Sequence, residues 1–288
     1  MGKPATDCNA DKPDMNMFVF KATAASYNSS IFVGLSCRAA TPMHARTRKR
    51  MKQGFKSSLM HILNFAKHET YRKMMRYLHS HRALMGQEHP GAIRIGFDPG
   101  ELRQDLQSML YAEMPDMLDT AAVATTERLG AAPFTMPSQD VLDFISRRAS
   151  LLSGLPDELY QRITDELSSG LNAGESLAQL SGRISRAFDD IEQGTAEVIA
   201  DTETAAAFNY ATNKAGIAAG ATRKQWQHGG SKVPRPDHLA IDGLVVPIGE
   251  PYPVGEPPLM YPHDENGSPE DVINCSCVSI PLEGTTNG

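Results

Sequence analysis

The residues best suited to chemistry in this chain stand near its C-terminal end. Cys275 and Cys277 are one residue apart in "VINCSCVSI", and His238 lies upstream in "PRPDH". In an extended segment residues i and i+2 point to the same side, so the two sulfurs can converge on one point. With His238 they would supply three of the four ligands that tetrahedral zinc takes, and His263, His228 and Asp264 are candidates for the fourth. The same residues also fit a plainer arrangement. Free cysteines behave as small, commonly buried hydrophobes, and His238 would then fix its loop through hydrogen bonds. A disulfide across one intervening residue is strained, and Cys–His nucleophilic catalysis needs an activated thiolate that nothing in the sequence marks. The sequence leaves both readings open: closure of a small core with no cofactor, or zinc on Cys275, Cys277 and His238.

Other chemistry finds little footing. The chain has no phosphate-binding glycine loop, no Gly-x-Ser-x-Gly elbow, no His-Glu-x-x-His and no dinucleotide fingerprint. Trp226, the single tryptophan, reads as a core anchor ahead of a base-stacking platform. Glu203, on an alanine-rich helix, is either a solvated charge or a buried acid paired with Arg235 or Lys224.

Charge is distributed unevenly. The net charge is −6 over 288 residues. Between Arg46 and Arg82 eleven Lys/Arg face one acid, Glu69, so that segment carries +10 and the remainder −16. The cations that make up this face include Arg46, Arg48, Lys49, Arg50, Lys52, Lys56, Arg72, Lys73 and Arg76. Such a face is solvated, binds phosphates by counterion release, or docks on an acidic protein. Genomic DNA and an acidic protein surface are both candidate partners. Four cysteines make no disulfide framework for a chain this long, which points to a reducing compartment. No apolar run is long enough to span a membrane, and the opening residues lack a signal-peptide pattern. Met1-Gly2 fits a myristoylation pattern only loosely.

These side chains need elements to position them, and the periodicity predicts an α+β fold. Residues 1–42 read as an extended N-terminal segment with short strand-like runs. A basic helical region spans 43–136, with apolar residues such as Phe55, Leu59, Ile62 and Leu63 at helical spacing from Pro42 to about Met85. A Gly/Pro-rich break covers 86–100, and a second helical run covers Pro99 to Leu129. A helical body occupies 137–220, with Ser138 as an expected N-cap and Gly170 as an expected helix stop. Its last helix, about 191–219, is rich in alanine. Residues 221–288 hold ten of the nineteen prolines and read as a compact, β-rich or irregular Trp/His/Cys-x-Cys module.

The order "DTETAAAFNYATNKAG", "KQWQ", "PRPDHLAIDG", "YPHDENGSPEDVINCSC" resembles the C-terminal domain of the Mu F-like phage head-morphogenesis, or minor head protein, family. On that resemblance the motif positions fall on Thr202, Glu203 and Asn209, then Lys224 and Trp226. Arg235, His238 and Gly243 follow, then Tyr261, Pro262 and Asp264, and finally Asn274, Cys275 and Cys277. The likeness covers roughly 155–281. Two positions depart from the family pattern: Asp201 stands where an arginine is usual before Thr-Glu, and Ser276 stands where an arginine is usual between the cysteines. The resemblance implies a structural virion protein made in the host cytoplasm and placed in the capsid near the portal vertex. Its implied partners are the portal protein or the major capsid protein, and its role lies in head assembly with a part in DNA packaging or ejection. It implies no catalytic turnover, and the lack of a spanning apolar run leaves no membrane partner expected. The alternative is a packaged nuclease or toxin-like enzyme using His238 with Cys275 and Cys277.

Overall fold

In the computed structural model the described residues are 42–80, 96–231 and 233–283. The expected strand-like runs before residue 42, Cys8, Cys37, Gly2, Arg82 and most of the 86–100 break lie outside them. The chain from Arg46 onward packs as the second of two compact units.

That second unit is mostly helical with one small sheet. Helix α1 spans Pro42–Ser80 and α2 spans Pro99–Arg128. They are followed by α3 (Ser138–Leu152), α4 (Gly154–Asn172) and α5 (Leu177–Asp190). A π-helical turn, Ile191–Thr195, leads into α6 (Ala196–Ala218). Beyond it come β1 (Arg223–Gln227), the short helix α7 (Pro236–Ala240), β2 (Val245–Pro247), the short helix α8 (Pro269–Val272) and β3 (Val278–Leu282). The three strands form an antiparallel sheet in the order β2-β1-β3, with Trp226 opposite Ser279 and Lys224 opposite Val246. The α+β expectation, a mostly helical body carrying a small β-rich C-terminal part, holds.

Helical periodicity builds the main core. Phe55, Leu59 and Leu63 of α1 are fully buried, as are Leu110, Met114 and Leu118 of α2 and Leu159 and Ile163 of α4. Spacings of three and four residues place each set on one face of its helix. Helix α6 differs, because it is buried on nearly every side, from Ala196 through Gly216. An all-round apolar helix belongs in a core, and alanine keeps its backbone close to its neighbours. Helix α2 packs along one flank and β3 along another. Gly216 marks a close approach: a Cβ there would meet the Pro281 ring at 2.6 Å.

Local signals were less reliable than periodicity. Ser138 is the first residue of α3, not its cap; Pro137 takes the cap position and no side-chain capping bond forms. Gly170 does not end α4, which runs on to Asn172. Its role is spatial, since a Cβ there would lie 2.6 Å from Leu180 Cδ2. The left-handed residue after that helix is Gly174, with φ of 70°. Ser176 then caps α5 in a capping box with Gln179, which is the reciprocal pairing expected of Ser-x-x-Gln.

A second, smaller core lies under the sheet. It comprises Trp226, Tyr252, Val254, Leu259, Val272, Cys275 and Cys277. Tyr261 joins the main core instead, edge-on to Tyr210 of α6 at 5.9 Å between ring centroids.

Candidate functional site

The two cysteines meet His238, but not by the expected route. β3 begins at Val278, so neither cysteine is in the strand. Asn274, in the left-handed region with φ of 54°, turns the chain just before them. The Cys277 backbone N–H then donates to Cys275 Sγ at 3.4 Å. This local loop, not strand alternation, presents both sulfurs to one ring nitrogen. His238 Nδ1 lies 3.5 Å from Cys275 Sγ and 3.7 Å from Cys277 Sγ. His238 is 1% exposed, Cys277 2% and Cys275 7%. Trp226 stands edge-on against the imidazole, 5.2 Å between centroids. Behind the ring, Asp271 Oδ1 is 3.9 Å from Nε2.

The sulfurs are electrostatically unequal. A hydrogen bond from Cys277, with a further contribution from His238, holds the Cys275 thiol well below the usual thiol range. Donating that hydrogen bond and being buried push Cys277 up. Two adjacent thiols cannot both ionise freely in a low-dielectric pocket, so the pair shares its charge.

The three candidates for a fourth ligand are engaged elsewhere. His263 is fully buried; its Nε2 donates to the Cys275 carbonyl at 2.7 Å, and its Nδ1 faces Asn209 Nδ2 at 3.3 Å. A carbonyl can only accept, so the proton sits on Nε2 and Nδ1 accepts from the amide. Burial lowers the His263 pKa to about 4, keeping the ring neutral. Asp264 accepts from the Met260 and Asn266 backbone N–H groups. His228 Nδ1 accepts from Gly230 N.

The remaining motif residues turn out to be fasteners. Thr202 Oγ1 accepts from the Asn274 backbone N–H at 3.0 Å, tying the turn before the cysteines to α6. Asn209 joins three segments: Oδ1 accepts from Ser279 N at 3.0 Å, while the two protons of Nδ2 are shared among the Ala205 carbonyl, the Cys277 carbonyl and His263 Nδ1. Lys224 is fully buried; Nζ donates to the Met260 carbonyl at 2.6 Å and lies over the Tyr252 ring. Burial lowers its pKa to about 8. Arg235 donates to the Glu270 and Ile273 carbonyls at the end of α8, where a helix exposes unpaired acceptors. Gly243, with φ of 83°, makes the turn that returns β2 to β1, its N–H donating to the Trp226 carbonyl.

Glu203 is buried, and its partner is neither Arg235 nor Lys224. Arg148 of α3 grips both carboxylate oxygens, Nε to Oε2 at 2.7 Å and Nη2 to Oε1 at 2.6 Å. Arg148 was missed because it precedes every motif and lies 55 residues from Glu203; its place within a helical run gave no sign of burial. Asp201, the first departure from the family pattern, pairs with Lys52 of α1 at 2.7 Å. The second departure, Ser276, lies under Gly229 so closely that a Cβ on the glycine would meet the Ser276 carbonyl oxygen at 1.9 Å.

The basic face of α1 divides into engaged and open cations. Lys52 pairs with Glu197 as well as Asp201, Lys56 also reaches Glu197, and Lys67 reaches Asp189. Lys73 pairs with Glu101 and Arg72 with Glu69. Arg48 is half-buried and within electrostatic reach of Asp201 and Cys275; burial lowers its pKa and Asp201 opposes the shift. Arg46, Lys49, Arg50 and Arg76 are exposed and make no ion pair among the described residues. Much of the positive charge thus neutralises the acidic body instead of facing outward.

No solved structure matches the chain. It is similar to the uncharacterized protein YqbB of Bacillus subtilis (strain 168), at 25% identity over 193 residues. That match covers 65% of this chain, and the chain spans 63% of the relative's length. No helix among the described residues is long and apolar enough to cross a membrane. Residues 161–280, from the middle of α4 into β3, match the family described as Phage Mu protein F like protein, and over this C-terminal half the resemblance carried by the ordered motifs is borne out.

Proposed function

We propose that the protein is a structural minor head protein of a tailed phage, acting in head morphogenesis at the portal vertex. The family match over residues 161–280 supports a head-morphogenesis role. The observation that carries the structural reading is the engagement of the motif residues themselves. Thr202, Glu203, Asn209, Lys224 and Arg235 all direct their polar atoms to partners within the chain, backbone or side chain. Residues arranged in this way hold a domain together. The enzyme alternative has little to draw on, because a substrate would have to reach a His238/Cys275/Cys277 cluster that is nearly all buried.

The outward face of α1 supplies the partner surface. Arg46, Lys49 and Arg50 are spaced i, i+3 and i+4, so three exposed cations share one side of the helix. Such a side meets the phosphate backbone of packaged DNA without reading sequence. The test is salt-dependent binding of the full-length chain to DNA, together with co-sedimentation with portal and major capsid protein from the same phage. Binding that weakens with salt, ignores sequence and is lost when Arg46, Lys49 and Arg50 become Glu is expected. Chelator-sensitive cleavage of DNA or RNA, lost in His238→Ala, would overturn the structural reading.

A further inference from the structure

We propose that His238, Cys275 and Cys277 form a site for one divalent metal ion of the zinc class, with water completing the fourth position. The three ligand atoms already lie within 4.8 Å of one another. The edge between a nitrogen and a sulfur around tetrahedral zinc is about 3.5 Å, from bond lengths of about 2.0 and 2.3 Å. The observed separations from His238 Nδ1 are 3.5 and 3.7 Å. An ion therefore fits between the groups with little movement of either backbone.

The surroundings suit the same chemistry. Coordination through Nδ1 places the imidazole proton on Nε2, and Nε2 faces the Asp271 carboxylate at 3.9 Å. Carboxylate behind histidine is the usual orienting partner of a metal-bound imidazole. That Nε2 is buried with no hydrogen bond, so a proton placed there by coordination through Nδ1 has the carboxylate as its nearest acceptor. Two thiolates and a neutral imidazole balance the charge of a divalent ion, so the filled site adds no net charge beside Trp226. The Cys277 N–H donating to Cys275 Sγ supports one of those thiolates. His263 and Asp264 are committed to other partners, and no fourth His, Cys, Asp or Glu joins the three sulfur and nitrogen ligands among the described residues, so one coordination position is left for water. Two sulfurs and one nitrogen favour zinc over magnesium or calcium, which prefer oxygen.

The experiment uses the full-length chain, purified under reducing conditions without chelator. Mass spectrometry of the elements is expected to give one zinc per chain. After removal of zinc, titration with Co²⁺ is expected to give tetrahedral visible bands and a thiolate-to-cobalt charge-transfer band. Cys277→Ser, with one thiolate left, should lose about half or more of the charge-transfer intensity and His238→Gln should bind cobalt more weakly, whereas a Cys8→Ser/Cys37→Ser double variant should keep the band. Asp271→Asn leaves all three ligands in place and should weaken cobalt binding about tenfold or more, which retains a readout if a ligand variant fails to fold. A wild-type chain that gives only trace zinc and no thiolate–cobalt band overturns the site. So does a band lost in the Cys8/Cys37 double variant or kept at full intensity in Cys277→Ser, and unchanged affinity in Asp271→Asn overturns the role given to the carboxylate.

Discussion

The basic helix and the C-terminal module handle polar groups in opposite ways. On α1, Lys52, Lys56, Lys67 and Lys73 reach across to acids on other helices, and most of those contacts remain open to water. In the module and the helices beneath it, Arg148, Glu203, Asn209, Lys224 and His263 are buried and hydrogen-bonded. Exposed pairs are screened and contribute little, whereas a buried group deprived of its partner leaves an uncompensated charge or dipole. The difference separates two tasks: α1 can change its charge with small effects on folding, but the module cannot change its polar residues without coming apart.

The largest expected effect tests the buried end of that contrast. Glu203→Ala should cost about 3–5 kcal/mol in denaturant unfolding, because Arg148 would be left charged and unpaired. Replacing both together, Arg148→Met with Glu203→Leu, should recover much of the loss. If Glu203→Ala unfolds at the same denaturant concentration as the parent, the buried pair has no such role. Trp226→Ala should fall in the same range, about 3–5 kcal/mol, since it empties the centre of the smaller core. Asn209→Ala should cost about 1–3 kcal/mol for each group it orphans, beginning with Ser279 N–H.

The smallest effect lies on α1. Lys52→Ala or Lys56→Ala should each change stability by less than about 1 kcal/mol, and less again at high salt. Their acid partner gives a pH signature. Hydrogen bonds from Lys52 and Lys56 lower the Glu197 pKa from 4.5 to about 2. A depressed carboxylate pKa contributes stability that is present above the unfolded value and lost as pH falls through the folded one. The small contribution should therefore fade between pH 4.5 and about 2, and a Lys52→Ala/Lys56→Ala double variant should show a flatter profile across that window. Equal slopes in parent and variant would remove Glu197 from the account.

Long-range periodicity was legible and local detail was not. Leu155, Leu159, Ile163 and Leu167 announce a helix face because burial imposes the spacing, and all four are buried in α4. Ser138 and Gly170 suggest a cap and a stop by residue type, yet packing assigns them a helix start and a close contact. The Cys275/Cys277/His238 convergence was also legible, although a turn at Asn274 produces it instead of strand alternation. Arg148 and the ion pairs of α1 were not, since a charged residue in an amphipathic helix reads the same whether it faces water or a distant acid. His263 could have been found only from its surroundings: nothing in "YPHDEN" says that both ring nitrogens are engaged.

The central claim is that the ordered motif fastens the C-terminal module to α6. Native-state hydrogen exchange at the Asn274 and Ser279 amides tests it most directly, because Thr202 Oγ1 and Asn209 Oδ1 accept from them. Both amides are expected to exchange as slowly as the core of α6, with Ser279 losing that protection in Asn209→Ala and Asn274 losing it in Thr202→Val. Rapid exchange at both positions in the parent chain would contradict the claim and leave the motif residues free for another task.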